Sequence, residues 1–122
     1  MHLCHLGLPV LDVGRSRTFY VRYFAFDPDS TRRYEDGTVI IRDRDGFDLA
    51  LHPGAQVGPV PDFLHFGFRF DDPGEVRTLL ARLRADDVPI IEEQEEPTYV
   101  AFKCPDPDGH RVECYWEPRT TS

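Results

Sequence analysis

Positive charge is scarce in this 122-residue chain: 14 Lys and Arg stand against 22 Asp and Glu, for a formal net charge of −8. A surface of that sign repels phosphate backbones and anionic headgroups, and no basic cluster offsets it. Nucleic acid and membrane surfaces are therefore set aside as partners; the acidic balance suits a cationic ligand or simply solubility. Long apolar runs are missing too. No stretch approaches the ~20 residues of a membrane span, and Met1 to Leu11 has neither the basic start nor the apolar run of a signal peptide. Cysteine is sparse. Cys4, Cys104 and Cys114 make an odd count with no CxxC pair, which argues against a disulfide framework and makes a reducing cytoplasm the expected setting. Apolar residues, at 40% with 12% aromatic, suffice for a core, and the length fits one compact domain.

The chain repeats itself. Set His5–Asp27 beside His65–Asp87, a shift of 60 residues without gaps, and nine of 23 positions are identical, including His5/His65, Gly7/Gly67, Asp12/Asp72, Arg17/Arg77 and Thr18/Thr78. Chance seldom gives this, so two copies of one unit are expected. Each copy opens on an apolar strand, Leu3–Leu11 or Phe63–Phe70. A helix follows. Asp12 can cap the first, which carries Phe19, Tyr20, Tyr23 and Phe24 at helical spacing. Asp72 and Pro73 start the second, with Val76, Leu79, Leu80 and Leu83 as its apolar stripe. Three shorter strands close each copy: Thr31–Tyr34, Thr38–Arg42 and Phe47–His52, then Ile90–Glu93, Tyr99–Lys103 and His110–Trp116. Asp36-Gly37 and Asp45-Gly46 are hairpin signals, and Asp106–Gly109 reads as a turn. The unit is thus β-α-β-β-β, and the class α+β. The expected division is a first module of about 3–52, a linker of 53–61 stiffened by prolines, and a second module of about 62–118.

Alternation along a strand sends every second side chain to one face. His5 and His65 occupy equivalent points of the two copies. Glu113 lies mid-strand among Val112, Cys114 and Tyr115, where a carboxylate is costly unless it meets a cation or several donors. Two imidazoles and a carboxylate on rigid strands form a facial triad with open positions. That set suits Fe2+ or Mn2+, with Zn2+ and Ni2+ as further candidates. Cys4 and Cys114 flank these residues on the opposite face and read as packing residues.

Three segments resemble the vicinal oxygen chelate superfamily. HLGLPVLDVGRSRTFYVRYFAF resembles its opening, a His-bearing strand followed by a helix with an FY pair. LHFGFRF resembles its second His-bearing strand, and DPDGHRVECYWEP resembles its last turn and strand, where DPDG precedes the ligand Glu. The resemblance runs from about His5 to Pro118. The superfamily includes glyoxalase I, extradiol dioxygenases, fosfomycin-inactivating thiol transferases, epimerases and bleomycin-binding resistance proteins. The resemblance implies paired βαβββ modules, a cupped sheet around a metal held by His5, His65 and Glu113, and a homodimer. Tyr115, Trp116 and Phe47 are the expected interface aromatics.

Departures from the family patterns narrow the chemistry. Glyoxalase I carries a fourth ligand, a Glu, where Ala50 falls when Leu49-Ala50-Leu51 is set against Val112-Glu113-Cys114. Asp48 and His52 share the face of Ala50, as a substrate-binding group and a base. Extradiol dioxygenases use His-His-Glu with Fe2+, but their Tyr ahead of the DP pair is Lys103 here, and Glu92–Glu96 contains no His. A dioxygenase would need Lys103, Tyr99, His52 or Tyr115 as proton-transfer and binding groups. Fosfomycin transferases have a Thr where Gly7 stands, and the acidic run IIEEQEEP replaces their Lys/Ser-rich phosphonate loop. Bleomycin-type binders generally lack the metal ligands, although the acidic run would suit a cation. Arg69, on the His65 face, could bind an anionic substrate or pair with an acidic neighbour. The expectation is a metal-dependent enzyme of dioxygenase or glyoxalase type, leaning towards dioxygenase. The alternative is a non-catalytic binding protein.

Overall fold

A computed structural model describes residues 1–54 and 56–119. The chain forms two compact units, Met1–Pro59 and Val60–Ser122. In the first, strand β1 (His5–Val10) leads to helix α1 (Val13–Phe24), then β2 (Asp27–Arg33), β3 (Val39–Arg42) and β4 (Asp48–Pro53). In the second, β5 (His65–Arg69) leads to α2 (Pro73–Ala85), then β6 (Glu92–Glu96), β7 (Tyr99–Pro105) and β8 (Arg111–Trp116). The sheet orders are β1-β4-β3-β2 and β5-β8-β7-β6. In each sheet the first strand runs parallel to the last and the remaining pairs are antiparallel. The repeat in the sequence is therefore a repeat of βαβββ topology.

Local chemistry accounts for these elements. Asp12 caps α1 by accepting from the Arg15 amide at 3.0 Å, and Asp72 caps α2 by accepting from the Gly74 amide at 2.7 Å. At the turns after β2 and β3, Gly37 and Gly46 take φ of +90° and +86°, a conformation that glycine adopts without a Cβ penalty. Helix α1 packs on β3 and β4, and α2 on β7 and β8. Phe19, Tyr20 and Phe24 of α1 lie over a core that includes Val39, Ile41, Leu49 and Leu51. Val76, Leu79 and Leu83 of α2 lie over one that includes Val100, Phe102, Cys104, Val112 and Cys114. The helices thus cover one face of each sheet. Alternation leaves His5, Asp48 and His52, or His65, Glu113 and Tyr115, on the other.

The structure corrects some expectations. Ile90 and Ile91 precede β6 rather than forming it. The strand itself is the exposed, acidic Glu92–Glu96, paired along its backbone with β7. Pro53 ends β4 instead of opening the linker. Phe47, Tyr115 and Trp116 are half-buried, and Leu3, Phe63 and Leu64 are exposed. Cys4 precedes β1 and is exposed, so it does not pack; Cys104 and Cys114 are buried. Burial pushes the Cys104 thiol up to about 12 and the Cys114 thiol upward as well. Thiolate is the reactive form, so a thiol reagent at pH 8 should label one cysteine per native chain, Cys4, and all three only after denaturation. Two fast-reacting thiols, counted by mass spectrometry, would contradict this packing. Among the described residues no helix is long and apolar enough to cross a membrane.

Candidate metal centre

In the second unit β8 and β5 run side by side, with Gly67 opposite Glu113 and His65 opposite Arg111. A Cβ on Gly67 would lie 3.3 Å from the Glu113 carbonyl oxygen and 3.4 Å from its Cβ. The glycine therefore leaves the carboxylate room on this face. The Glu113 side chain is only 16% exposed, and its Oε2 lies 3.1 Å from His65 Nε2. Tyr99 donates its hydroxyl to Glu113 Oε1 at 2.8 Å, and Lys103 Nζ stands 4.0 Å from Oε2. A mid-strand carboxylate is thus met by an imidazole, a phenol and an ammonium, as its burial requires.

The other ring nitrogen of His65 fixes its chemistry. Nδ1 lies 2.7 Å from the carbonyl oxygen of Phe63. A carbonyl can only accept, so Nδ1 carries the proton. In the neutral ring Nε2 then presents a bare lone pair towards Glu113 Oε2. Two acceptors facing each other across 3.1 Å require a cation between them, either a proton or a metal ion.

Around this pair lies an open cavity of about 380 Å³, lined by His65, Gly67, Tyr99, Glu113, Tyr115 and Glu117 among others. The rings of Tyr99 and Tyr115 lie with centroids 6.3 Å apart. Burial, then the hydrogen bond to Glu113, pushes the Tyr99 hydroxyl up to about 12, so it remains a donor at neutral pH. Lys103 also reaches Glu92, at 3.2 Å. Arg69 takes the pairing course: it bonds the Glu117 carboxylate at 3.2 Å and carbonyl at 2.7 Å.

In the first unit the same register recurs, with His5 opposite Asp48, Gly7 opposite Ala50 and Pro9 opposite His52. Ala50 thus holds the place of Glu113 and His52 that of Tyr115. His5 is exposed. Asp48 is tied to Arg42 at 2.8 Å and Arg32 at 3.2 Å. The hydrogen bond from Arg42 outweighs burial, which acts upward, and the Arg42 and Arg32 charges add to it, so its carboxyl is held below the usual range. A depressed pKa contributes stability above the ordinary value, which is lost as pH falls through the folded one. Denaturant titrations should therefore show the wild type losing more stability than Asp48→Asn between pH 5 and about 2.5. Parallel losses would contradict the ion pairs.

His52 has a support that the sequence did not reveal. Its Nδ1 lies 2.9 Å from the hydroxyl of Thr38, a buried side chain. Asp36 accepts from the Thr38 amide at 2.9 Å, and the Thr38 amide and hydroxyl lower its carboxyl. If the one hydroxyl proton goes to Asp36, Oγ1 accepts from His52 Nδ1–H, leaving Nε2 as an acceptor. A Cβ on Gly7 would lie 3.2 Å from that Nε2, so a Thr at position 7 would crowd His52. Asp36-Gly37 was legible only as a hairpin turn, and Thr38 carried no signal. Among the described residues, no group of three or more His, Cys, Asp and Glu side chains gathers as a metal cluster. The structure brings together the pair His65 and Glu113, and His5 belongs to the other unit.

A family model, the Glyoxalase/Bleomycin resistance protein/Dioxygenase superfamily, matches residues 2–114. The chain belongs to this superfamily. Solved structures agree with that assignment. A possible glyoxalase from Bacillus cereus is 28% identical, with a TM-score of 0.79 over 93% of this chain and 97% of that one. The fosfomycin resistance protein FosX from Listeria monocytogenes shares the fold at 18% identity, with a TM-score of 0.81 over 97% and 94%. Lactoylglutathione lyase from Agrobacterium tumefaciens shares it at 20% identity and a TM-score of 0.72 over 94% and 92%. No curated protein matches.

Proposed function

We propose that the protein is a metal-dependent superfamily enzyme that holds one divalent ion through His5, His65 and Glu113 and acts on a small oxygenated substrate. The observation that carries this reading is the gap between His65 Nε2 and Glu113 Oε2, two groups that can share one cation. Donors at adjacent positions around an ion with bonds of about 2.1 Å lie about 3 Å apart, so the 3.1 Å spacing fits. Fe2+ or Mn2+ suits a His-His-Glu set, with Zn2+ and Ni2+ as further candidates; a FosX variant of similar fold is known with Mn(II) and a dihydroxypropylphosphonic acid. When bound, the ion supplies Lewis-acid and redox chemistry to neighbouring substrate oxygens.

The chain's own groups bind, orient and move protons. Tyr99 fixes Glu113 through Oε1 and stays protonated. Lys103 balances charge beside Glu113 and can orient an anionic oxygen, and Tyr115 offers a ring face. His52, held by Thr38, is the candidate base. Asp48 and Arg69 are engaged by Arg42, Arg32 and Glu117, so they serve substrate binding only by giving up those partners. Ala50 removes the fourth ligand of glyoxalase I, which leans the chemistry towards a dioxygenase. The acidic strand β6 offers little to a cationic drug, because Arg84 pairs with Glu93, Arg77 with Glu95 and Lys103 with Glu92. The working unit is two βαβββ modules, joined by the Pro-rich segment that follows β4, in a cytoplasmic homodimer.

The test is reconstitution with Mn(II) and, anaerobically, Fe(II), followed by metal analysis, sedimentation and a substrate screen. About one ion per chain is expected, with oxygen uptake on catechols exceeding turnover of 2-oxoaldehyde–thiol adducts. Less than about 0.1 ion per chain would overturn the enzyme reading. A 14.1 kDa monomer that keeps its metal at tens of micromolar would overturn the dimer and leave the ligands standing.

A further inference from the structure

The turn ahead of His65 is held in a way that its own side chains do not explain. Phe63 has φ of +68°, in the left-handed region that disfavours a bulky L side chain. Ala25 and Asp87 share that region, but each lies where a helix ends and a left-handed residue is common. Phe63 instead occupies the third position of a tight turn closed by the Leu64 amide bonding the Pro61 carbonyl at 3.2 Å. Positive φ there is the type II geometry in which glycine is usual. The Phe63 ring is 88% exposed, so its burial does not offset the strain. What the backbone gains is the 2.7 Å bond from His65 Nδ1 to the Phe63 carbonyl. The turn is also anchored from β8, where Arg111, the cross-strand partner of His65, donates to the Pro61 carbonyl at 2.7 Å.

We infer that Phe63 and Arg111 are positioning residues: the strained turn, pinned by Arg111, presents the Phe63 carbonyl to His65 Nδ1, so that Nδ1 is held as the donor and Nε2 is aimed at Glu113. Strain concentrates where surrounding structure over-determines it, and local partners that fix a ligand's tautomer raise its readiness to bind. The consequence for metal affinity rests on the proposed metal site; the tautomer does not.

The experiment records long-range ¹H–¹⁵N spectra of His65 in metal-free protein at a pH where the ring is neutral, together with Mn(II) titrations, for wild type, Phe63→Gly, Phe63→Val and Arg111→Met. Wild type should show the Nδ1–H tautomer. Phe63→Gly keeps the left-handed turn without strain, so it should retain the tautomer and Mn(II) affinity, with Tm raised by about 3 °C. Phe63→Val resists left-handed φ, and Arg111→Met frees the turn. Both should show mixed tautomers and bind Mn(II) about 10-fold more weakly. If Phe63→Val does not fold, Arg111→Met and the wild-type spectrum decide alone. An Nε2–H tautomer in wild type, or an unchanged tautomer in Arg111→Met, overturns the inference even if metal binds. The expected tautomers without Mn(II) binding in wild type would uphold the positioning and defeat the metal site.

Discussion

Glu113→Ala should lower Mn(II) affinity by about 100-fold or more, since outer partners of a metal ligand already cost 10- to 100-fold and this change removes the ligand itself. Glu113→Gln should lose affinity similarly while retaining an acceptor for the Tyr99 hydroxyl, now 2.8 Å from Oε1. It therefore separates loss of charge from loss of packing. Tyr99→Phe should fall between, about 10-fold weaker, because Glu113 keeps its charge and loses one orienting donor. Isothermal titration of metal-free protein reads all three. Metal affinity unchanged in Glu113→Gln, with the fold intact by circular dichroism, would remove Glu113 from the ligand set.

Phe102→Ala should destabilise the fold by about 3–5 kcal/mol, the range for emptying an aromatic from a core, and lower Tm by about 10 °C or more. Phe102 is 1% exposed and faces the α2 side of β7, between Ala101 and Lys103. Its loss loosens the strand that carries Tyr99 and Lys103 to Glu113, so Mn(II) affinity should fall with stability. Glu96→Gln, on the exposed edge strand, should stay within about 0.5 kcal/mol of wild type. Chemical denaturation distinguishes the two. A change below about 1 kcal/mol in Phe102→Ala would mean that α2 does not depend on this ring for its seat.

The sequence by itself determined the architecture. A 60-residue shift exposed the repeat because both copies obey the same local rules: an Asp cap and an apolar helical stripe. Those signals are short-range and survive in a single chain; alternation gave the face of each residue on its own strand, and the β5–β8 register brought His65 and Glu113 together. Strand β6 was read two residues early, as Ile90–Glu93, because the exposed polar residues that form it carry no apolar pattern; β7 supplies its hydrogen bonds, and Arg77, Arg84 and Lys103 its counter-charges. The pairings of Asp48 and Arg69 depended on cross-strand register and on the chain beyond β8, which no local pattern encodes. Thr38 behind His52 and the Phe63 carbonyl behind His65 were invisible for a deeper reason. One is a hydroxyl brought across a hairpin and the other a main-chain atom aimed by a φ angle. Side-chain type specifies neither, so only the tertiary structure decided which partner meets Nδ1 of each imidazole.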